Sequence, residues 1–178
     1  QSFFGAPEGS PHVMGWLSSW RYARTHPSAG RRGVHSSPRA IGLVSGDHDT
    51  EVTSRPAVDF AHVGQLVGGR VWSGSPTRAL HVSIDNDFEL RVTAPFGDGA
   101  PVNAVEGTPS LTRCARVVDD YAQTYQVDQP PHGGHEIVID HGTIEVFAGG
   151  GRRAMSALVF PGAEWAVEVS GQAVLTEI

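Results

Sequence analysis

Cysteine is almost absent. Cys114 is the single thiol in 178 residues, which excludes an intrachain disulfide and a thiol-only metal site but leaves the redox compartment open. Positive charge is scarce as well: 13 Lys+Arg against 19 Asp+Glu give a formal net charge of −6. That sign argues against a nucleic-acid partner, which needs a basic stripe to meet phosphates. No apolar run is long enough for a membrane span, and residues 1–20 carry no basic n-region of a signal peptide. Asn-x-Ser/Thr is missing, so no glycan is expected, and neither an internal repeat nor a low-complexity tail is found. Apolar residues spaced i, i+3, i+4, i+7 are not sustained anywhere, which leaves no convincing helix.

Glycine and proline, by contrast, are plentiful, at 22 and 12 residues, and they fall between short apolar stretches as turns do in an all-β chain. A chain of this length buries roughly 70% of its unfolded surface, so it needs no metal staple. Alternation predicts strands over 79–84 and 88–92, paired as a hairpin around Asp85-Asn86-Asp87. Further strands are expected over 121–127, 136–140, 143–147, 154–160, 165–169 and 173–176. Strands that each bury one face need a second layer, and so many in succession predict a sandwich of two antiparallel sheets from about residue 58 to 178. Val138, Ile144, Val146, Leu158, Phe160 and Val167, or their alternation partners, are its expected core. Residues 1–57 differ in texture, with strands over 12–17 and 40–44 and a long Arg-, His-, Pro-, Ser- and Gly-rich loop between them. So few strands do not make a domain alone and are expected to complete a sheet elsewhere. The start, Gln1-Ser2-Phe3-Phe4, reads as the middle of something.

Several side chains invite chemistry. Trp16 and Trp20 stand four apart with Tyr22 behind them. On one strand they would share a face and could stack on a sugar ring beside Ser18 and Arg21; equally, both indoles could plug a core. Arg31, Arg32, His35 and Arg39 form a basic cluster that could hold an anion or tie down a loop, with Arg39, after Pro38, the one expected to be buried. His132 and His135 are the tight pair among nine histidines, too few ligands for a structural zinc and better read as surface loop. Asp85 with Asp87, Asp119 with Asp120, and Asp140 with Glu145 are the carboxylate pairs a glycosidase could use, yet each sits in turn-forming sequence. Cys114 has no evident base partner.

Gly15-Trp16-Leu17-Ser18-Ser19-Trp20-Arg21-Tyr22-Ala23 resembles the Gly-Trp-Met-x-Asn-Trp-x-Tyr-Ala stretch of glycoside hydrolase family 32, the β-fructofuranosidases, levanases and inulinases. Arg32-Gly33 with Ser37-Pro38-Arg39 is similar to that family's Trp-Arg-Gly…Leu-Pro-Arg-Glu segment. Residues 139–147, Ile-Asp-His-Gly-Thr-Ile-Glu-Val-Phe, resemble its Val-Asp-x-Ser-Ser-Val-Glu-Val-Phe strand pair, and 150–156 and 159–161 follow in the same style. Ser19, Arg21, Arg31 and Ala40 depart from the pattern, and Ala40 removes a Glu that could partner Arg39.

The resemblance implies an all-β fold: a C-terminal β-sandwich of two antiparallel sheets over residues 51–178, preceded in residues 1–50 by strands completing the last blade of a five-bladed β-propeller and the linker. It implies a retaining β-fructosidase acting on terminal β-D-fructofuranosyl units of sucrose or fructans, by hydrolysis or transfer, with no cofactor and no metal. Trp16 and Trp20 are then expected to line or back the fructosyl pocket. The family's Trp-Met-Asn-Asp-Pro-Asn-Gly, Arg-Asp-Pro and Glu-Cys-Pro strings do not occur here, so no residue is assigned a catalytic role. The chain alone is expected to be inactive. Its expected partner is the N-terminal propeller portion of the same enzyme as a second chain, separated by cleavage, a split gene or the choice of segment; no nucleic acid or membrane is expected. Fructan use suggests an extracellular setting. A non-catalytic fructan-binding or stabilising sandwich is the alternative.

Overall fold

A computed structural model of the chain describes residues 2–3, 11–20, 24, 33–46, 49–57, 65–66, 70–74, 80–85, 87–93, 100–113, 121–128, 130, 133–140, 142–159, 165–170 and 173–177. Among them there is no helix. The strands are β1 (Ser2–Phe3), β2 (His12–Val13), β3 (Trp16–Leu17), β4 (Val34–His35), β5 (Arg39–Ser45), β6 (Thr50–Pro56), β7 (Gln65–Leu66), β8 (Arg70–Gly74) and β9 (Leu80–Ile84). There follow β10 (Phe88–Thr93), β11 (Ala100–Val105), β12 (Thr108–Arg113), β13 (Gln123–Gln126), β14 (His135–Asp140), β15 (Thr143–Ala148), β16 (Arg153–Leu158), β17 (Trp165–Ser170) and β18 (Ala173–Glu177).

Two six-stranded sheets, ordered β13-β12-β11-β10-β17-β8 and β16-β15-β14-β9-β18-β7, form the expected all-β sandwich. All strand pairings among their described residues are antiparallel, and one apolar cluster joins them. Phe88, Leu90 and Val92 point in from β10, Ile137 and Ile139 from β14, Ile144 and Val146 from β15, and Val167 and Val169 from β17. Each such side chain contributes about 1.5–3 kcal/mol when fully buried.

The expected β9–β10 hairpin is not formed. β9 pairs with β14 and β18, whereas β10 pairs with β11 and β17, so Asp85–Asp87 carries the chain from one sheet to the other. Alternation is the same for two strands in one sheet and for two strands facing each other across a core, which is why the pattern misled. The tight hairpin lies instead between β11 and β12, where Glu106 and Gly107 both take positive φ (50° and 74°) and make a two-residue turn. Asp87 seals that turn, its carboxylate accepting from the N–H groups of Glu106 and Gly107 at 2.9 Å each.

Ahead of the sandwich, β1-β2-β5-β6 form a four-stranded sheet, with β3 and β4 as a separate pair. The expected strand over 12–17 is thus two short strands in different sheets, split at Met14-Gly15. β6 pairs with β5 along seven residues from Arg39↔Pro56 to Ser45↔Thr50, so this sheet continues to Pro56. It docks on the outer face of the β14–β15–β16 region. Ser54 N–H donates to the Gly151 carbonyl (2.8 Å), Arg55 Nε to the Gly150 carbonyl (2.6 Å), and Arg152 Nε to Glu51 (2.9 Å). Gly149, Gly150 and Gly151 all have positive φ, and a Cβ on Gly151 would come within 2.5 Å of the Ser54 carbonyl oxygen. Only glycine fits there.

Docking explains why all six residues of β15 are buried. Ile144 and Val146 face the core, while Thr143, Glu145 and Phe147 face the small sheet. Of the expected core, Ile144, Val146 and Val167 are in the apolar cluster; Val138 and Leu158 are buried outside it. Phe160 lies outside the described residues.

Candidate functional site

Trp16 begins β3, opposite His35 of β4. Trp20 lies beyond the strand, in a turn, so the two indoles do not share a strand face as expected from their spacing. The chain brings them together anyway: the ring centroids are 5.3 Å apart, tilted by 49°. Trp16 is 43% exposed and Trp20 86%. Neither plugs the core. Gly33 (φ +116°) packs beneath Trp16, where a Cβ would fall 2.5 Å from the indole Nε1 and 2.8 Å from Ser18 Cβ. Ser18 Oγ is buried there with no hydrogen-bond partner among the described residues. A wet, tilted aromatic pair with a hydroxyl beside it can take the apolar face of a ring that also bears hydroxyls.

A hydrogen-bond chain fixes this edge to the sandwich. Gly15 N–H donates to Ser36 Oγ (2.9 Å), Ser36 N–H donates to the Gly15 carbonyl (2.8 Å), and the Ser36 hydroxyl donates to the Ser37 carbonyl (3.0 Å). Ser37 N–H then donates to Glu145 Oε1 (2.6 Å), and Arg39 Nε to Glu145 Oε2 (3.0 Å). Arg39 Nη2 bonds both Glu145 and Ser156 Oγ, and the guanidinium lies 5.0 Å from the Phe147 ring centroid. Glu145 is 1% exposed and Arg39 15%. Arg39 is thus only part-buried where its position after Pro38 suggested burial, and Glu145 is its structural partner rather than half of a catalytic pair with Asp140. The Glu missing at Ala40 is not needed, because Glu145 fills the role from another sheet.

The other candidates separate. His35 is exposed. His135 is no surface-loop residue: it opens β14 at 4% exposure, with the Phe88 ring edge-on at 5.2 Å. Burial pushes its imidazole below the ordinary value, against the Ile84 carbonyl and the Asp87 and Asp85 carboxylates, which act the other way. Asp87 is held below the usual carboxylate value by the Gly107 and Glu106 N–H groups. Arg31, Arg32, Cys114, Asp119, Asp120 and His132 lie outside the described residues. Among the described residues no group of three or more His, Cys, Asp or Glu is placed to hold a metal ion. Sequence reasoning missed Ser36, because its backbone partner Gly15 lies 21 positions away.

Comparison with known proteins bears on this arrangement. Residues 136–175 match the family described as "Glycosyl hydrolases family 32 C terminal". The levanase of Bacillus sp. (strain L7) is 21% identical over 189 residues, which is 90% of this chain and 20% of the levanase. The exo-inulinase of Aspergillus awamori superposes with a TM-score of 0.75 at 16% identity, over 99% of this chain and 42% of that one. A Bombyx mori family 32 β-fructofuranosidase gives 0.75 at 20% identity, over 99% of this chain and 39% of that one. The chain thus shares the all-β fold of these solved enzymes. Residues 136–175 are similar to the C-terminal region of glycoside hydrolase family 32, and the chain spans about a fifth of the levanase and about two fifths of the two solved enzymes.

Proposed function

We propose that the chain is the C-terminal part of a retaining β-fructosidase that hydrolyses, or transfers, terminal β-D-fructofuranosyl units of sucrose or fructans. Trp16 and Trp20 form one edge of the fructosyl pocket, and the sandwich holds that edge in place. The observation that carries this reading is the exposed, tilted indole pair braced to the sandwich through Ser36 and Glu145. The names of the relatives support the substrate class: a levanase, an exo-inulinase and a β-fructofuranosidase, the last also solved in complex with sucrose.

Retention needs two carboxyl groups about 5 Å apart, one as nucleophile and one as acid then base. Glu145 is consumed by Arg39 and Asp87 by the β11–β12 turn, so both reactive acids belong to an N-terminal propeller portion, in the same polypeptide or as a second chain. The four-stranded sheet is the size of one propeller blade. We place the division between blade and sandwich just after Pro56 rather than at residue 50, because β6 completes that sheet. An extracellular setting fits a fructan-using enzyme.

The test is Trp16→Ala and Trp20→Ala in the assembled enzyme, which should raise KM for sucrose or fructan several-fold; unchanged KM in both would refute the pocket-edge role. A fructan-binding module with no catalytic partner is the second reading, favoured by the same exposure of Trp20. It requires the isolated chain to bind levan or inulin, and loss of that binding in Trp20→Ala.

A further inference from the structure

We infer that Glu145, a sandwich residue, is a positioning residue for the Trp16–Trp20 pair, so that the sandwich sets the shape of the pocket edge rather than only supporting it. The inference rests on the pocket-edge reading for its functional consequence but not for its structural content.

The path is continuous. Glu145 spends one carboxylate oxygen on Ser37 N–H and the other on Arg39, which fixes the segment leaving β4. The adjacent Ser36, 3% exposed, clamps both backbone groups of Gly15 with its own N–H and hydroxyl. Gly15 directly precedes Trp16, and β4 pairs with the strand that Trp16 begins. Trp16 and Leu17 have only two ladder partners, His35 and Val34, and a two-residue strand pair is too short to hold an exposed indole by itself. The clamp at Gly15 and the packing of Gly33 add to that hold. Because charge-assisted hydrogen bonds are shorter and roughly twice as strong as neutral ones, the Glu145 end is the firm anchor of this chain. A neutral amide at 145 keeps an acceptor for Ser37 but loses the ionic grip on Arg39.

The two indoles are close enough to couple electronically, so their geometry can be read from the exciton couplet in far-ultraviolet circular dichroism of the full chain, with Trp20→Phe as the control that abolishes it. Glu145→Gln and Ser36→Ala are each expected to lose most of the couplet while the β-sheet signal persists. Glu145→Asp, which keeps the charge, should restore part of it. In the assembled enzyme both variants should raise KM for sucrose or fructan several-fold with kcat nearly unchanged. If Glu145→Gln does not fold, Ser36→Ala decides alone, since it leaves the Arg39 ion pair intact. An unchanged couplet in either Glu145→Gln or Ser36→Ala overturns the inference. A lost couplet with unaltered KM upholds the positioning role and refutes the fructosyl-pocket reading instead.

Discussion

Part-buried Arg39 of the small sheet and fully buried Glu145 of the sandwich meet as an ion pair, with Ser37, Ser156 and Phe147 completing its surroundings. It joins the two sheets through residues 106 positions apart in sequence. Removing one partner of such a pair leaves the other charge buried and typically costs 3–5 kcal/mol, about the scale expected for Glu145→Ala. Replacing both with apolar residues of similar volume should cost much less. Urea unfolding of the single and double variants checks this; equal losses in both would mean that shape, not charge, holds the junction.

Acid should weaken the fold through His135. Its folded-state value lies below the ordinary 6.5 because the ring is buried, so its contribution is full above 6.5. As pH falls through 6.5 the unfolded chain takes up a proton that the folded chain refuses, and stability declines toward the lowered value. His135→Leu should flatten this limb of the stability curve, measured as unfolding midpoint against pH from 8 to 5. Asp87 acts in a different window. Its folded-state value is lowered below 3.8, so its contribution is present above 3.8 and fades as pH drops through the lowered value; Asp87→Asn should remove that second, more acidic loss.

Gly33→Ala should disturb the aromatic edge. The backbone there has φ +116°, and the added methyl would collide with the Trp16 indole and Ser18. A substitution into an incompatible left-handed position costs more than about 1 kcal/mol. The expected outcome is a shifted tryptophan fluorescence maximum together with a lowered unfolding midpoint; a variant with wild-type fluorescence would mean that the indole has room to spare.

Much of the architecture was legible in the residues, since β9, β10 and β14 to β18 all carry the period-two alternation that a half-buried strand requires. The strand boundaries in the structure differ from that reading by only a few residues. Partnering was harder. Phe88 and Val82 alternate alike, yet they belong to opposite sheets of one core. β6, Thr-Glu-Val-Thr-Ser-Arg-Pro, was missed because it leaves Val52 60% exposed opposite Leu43 at 71%, and a strand with so little buried apolar surface carries no pattern. Its Thr53 and Ser54 serve backbone packing against Gly42 and Gly151 instead. His135 looked like loop because Pro130, Pro131, Gly133 and Gly134 precede it, although the strand starts at the histidine itself. The candidate site was half legible: motif spacing singled out Trp16, Trp20 and Arg39, but the Glu145 partnership is a long-range contact that no local pattern encodes.

On the proposed reading, the exposed Leu43–Val52 pair and the open indoles belong to a blade that needs neighbours, and the reactive acids come with those neighbours. Fructose release from sucrose, levan and inulin is the direct measurement, made with the purified chain alone and with the same chain joined to its N-terminal propeller portion. The account predicts no release from the chain alone and turnover with retained anomeric configuration from the joined form; turnover by the isolated chain would contradict it.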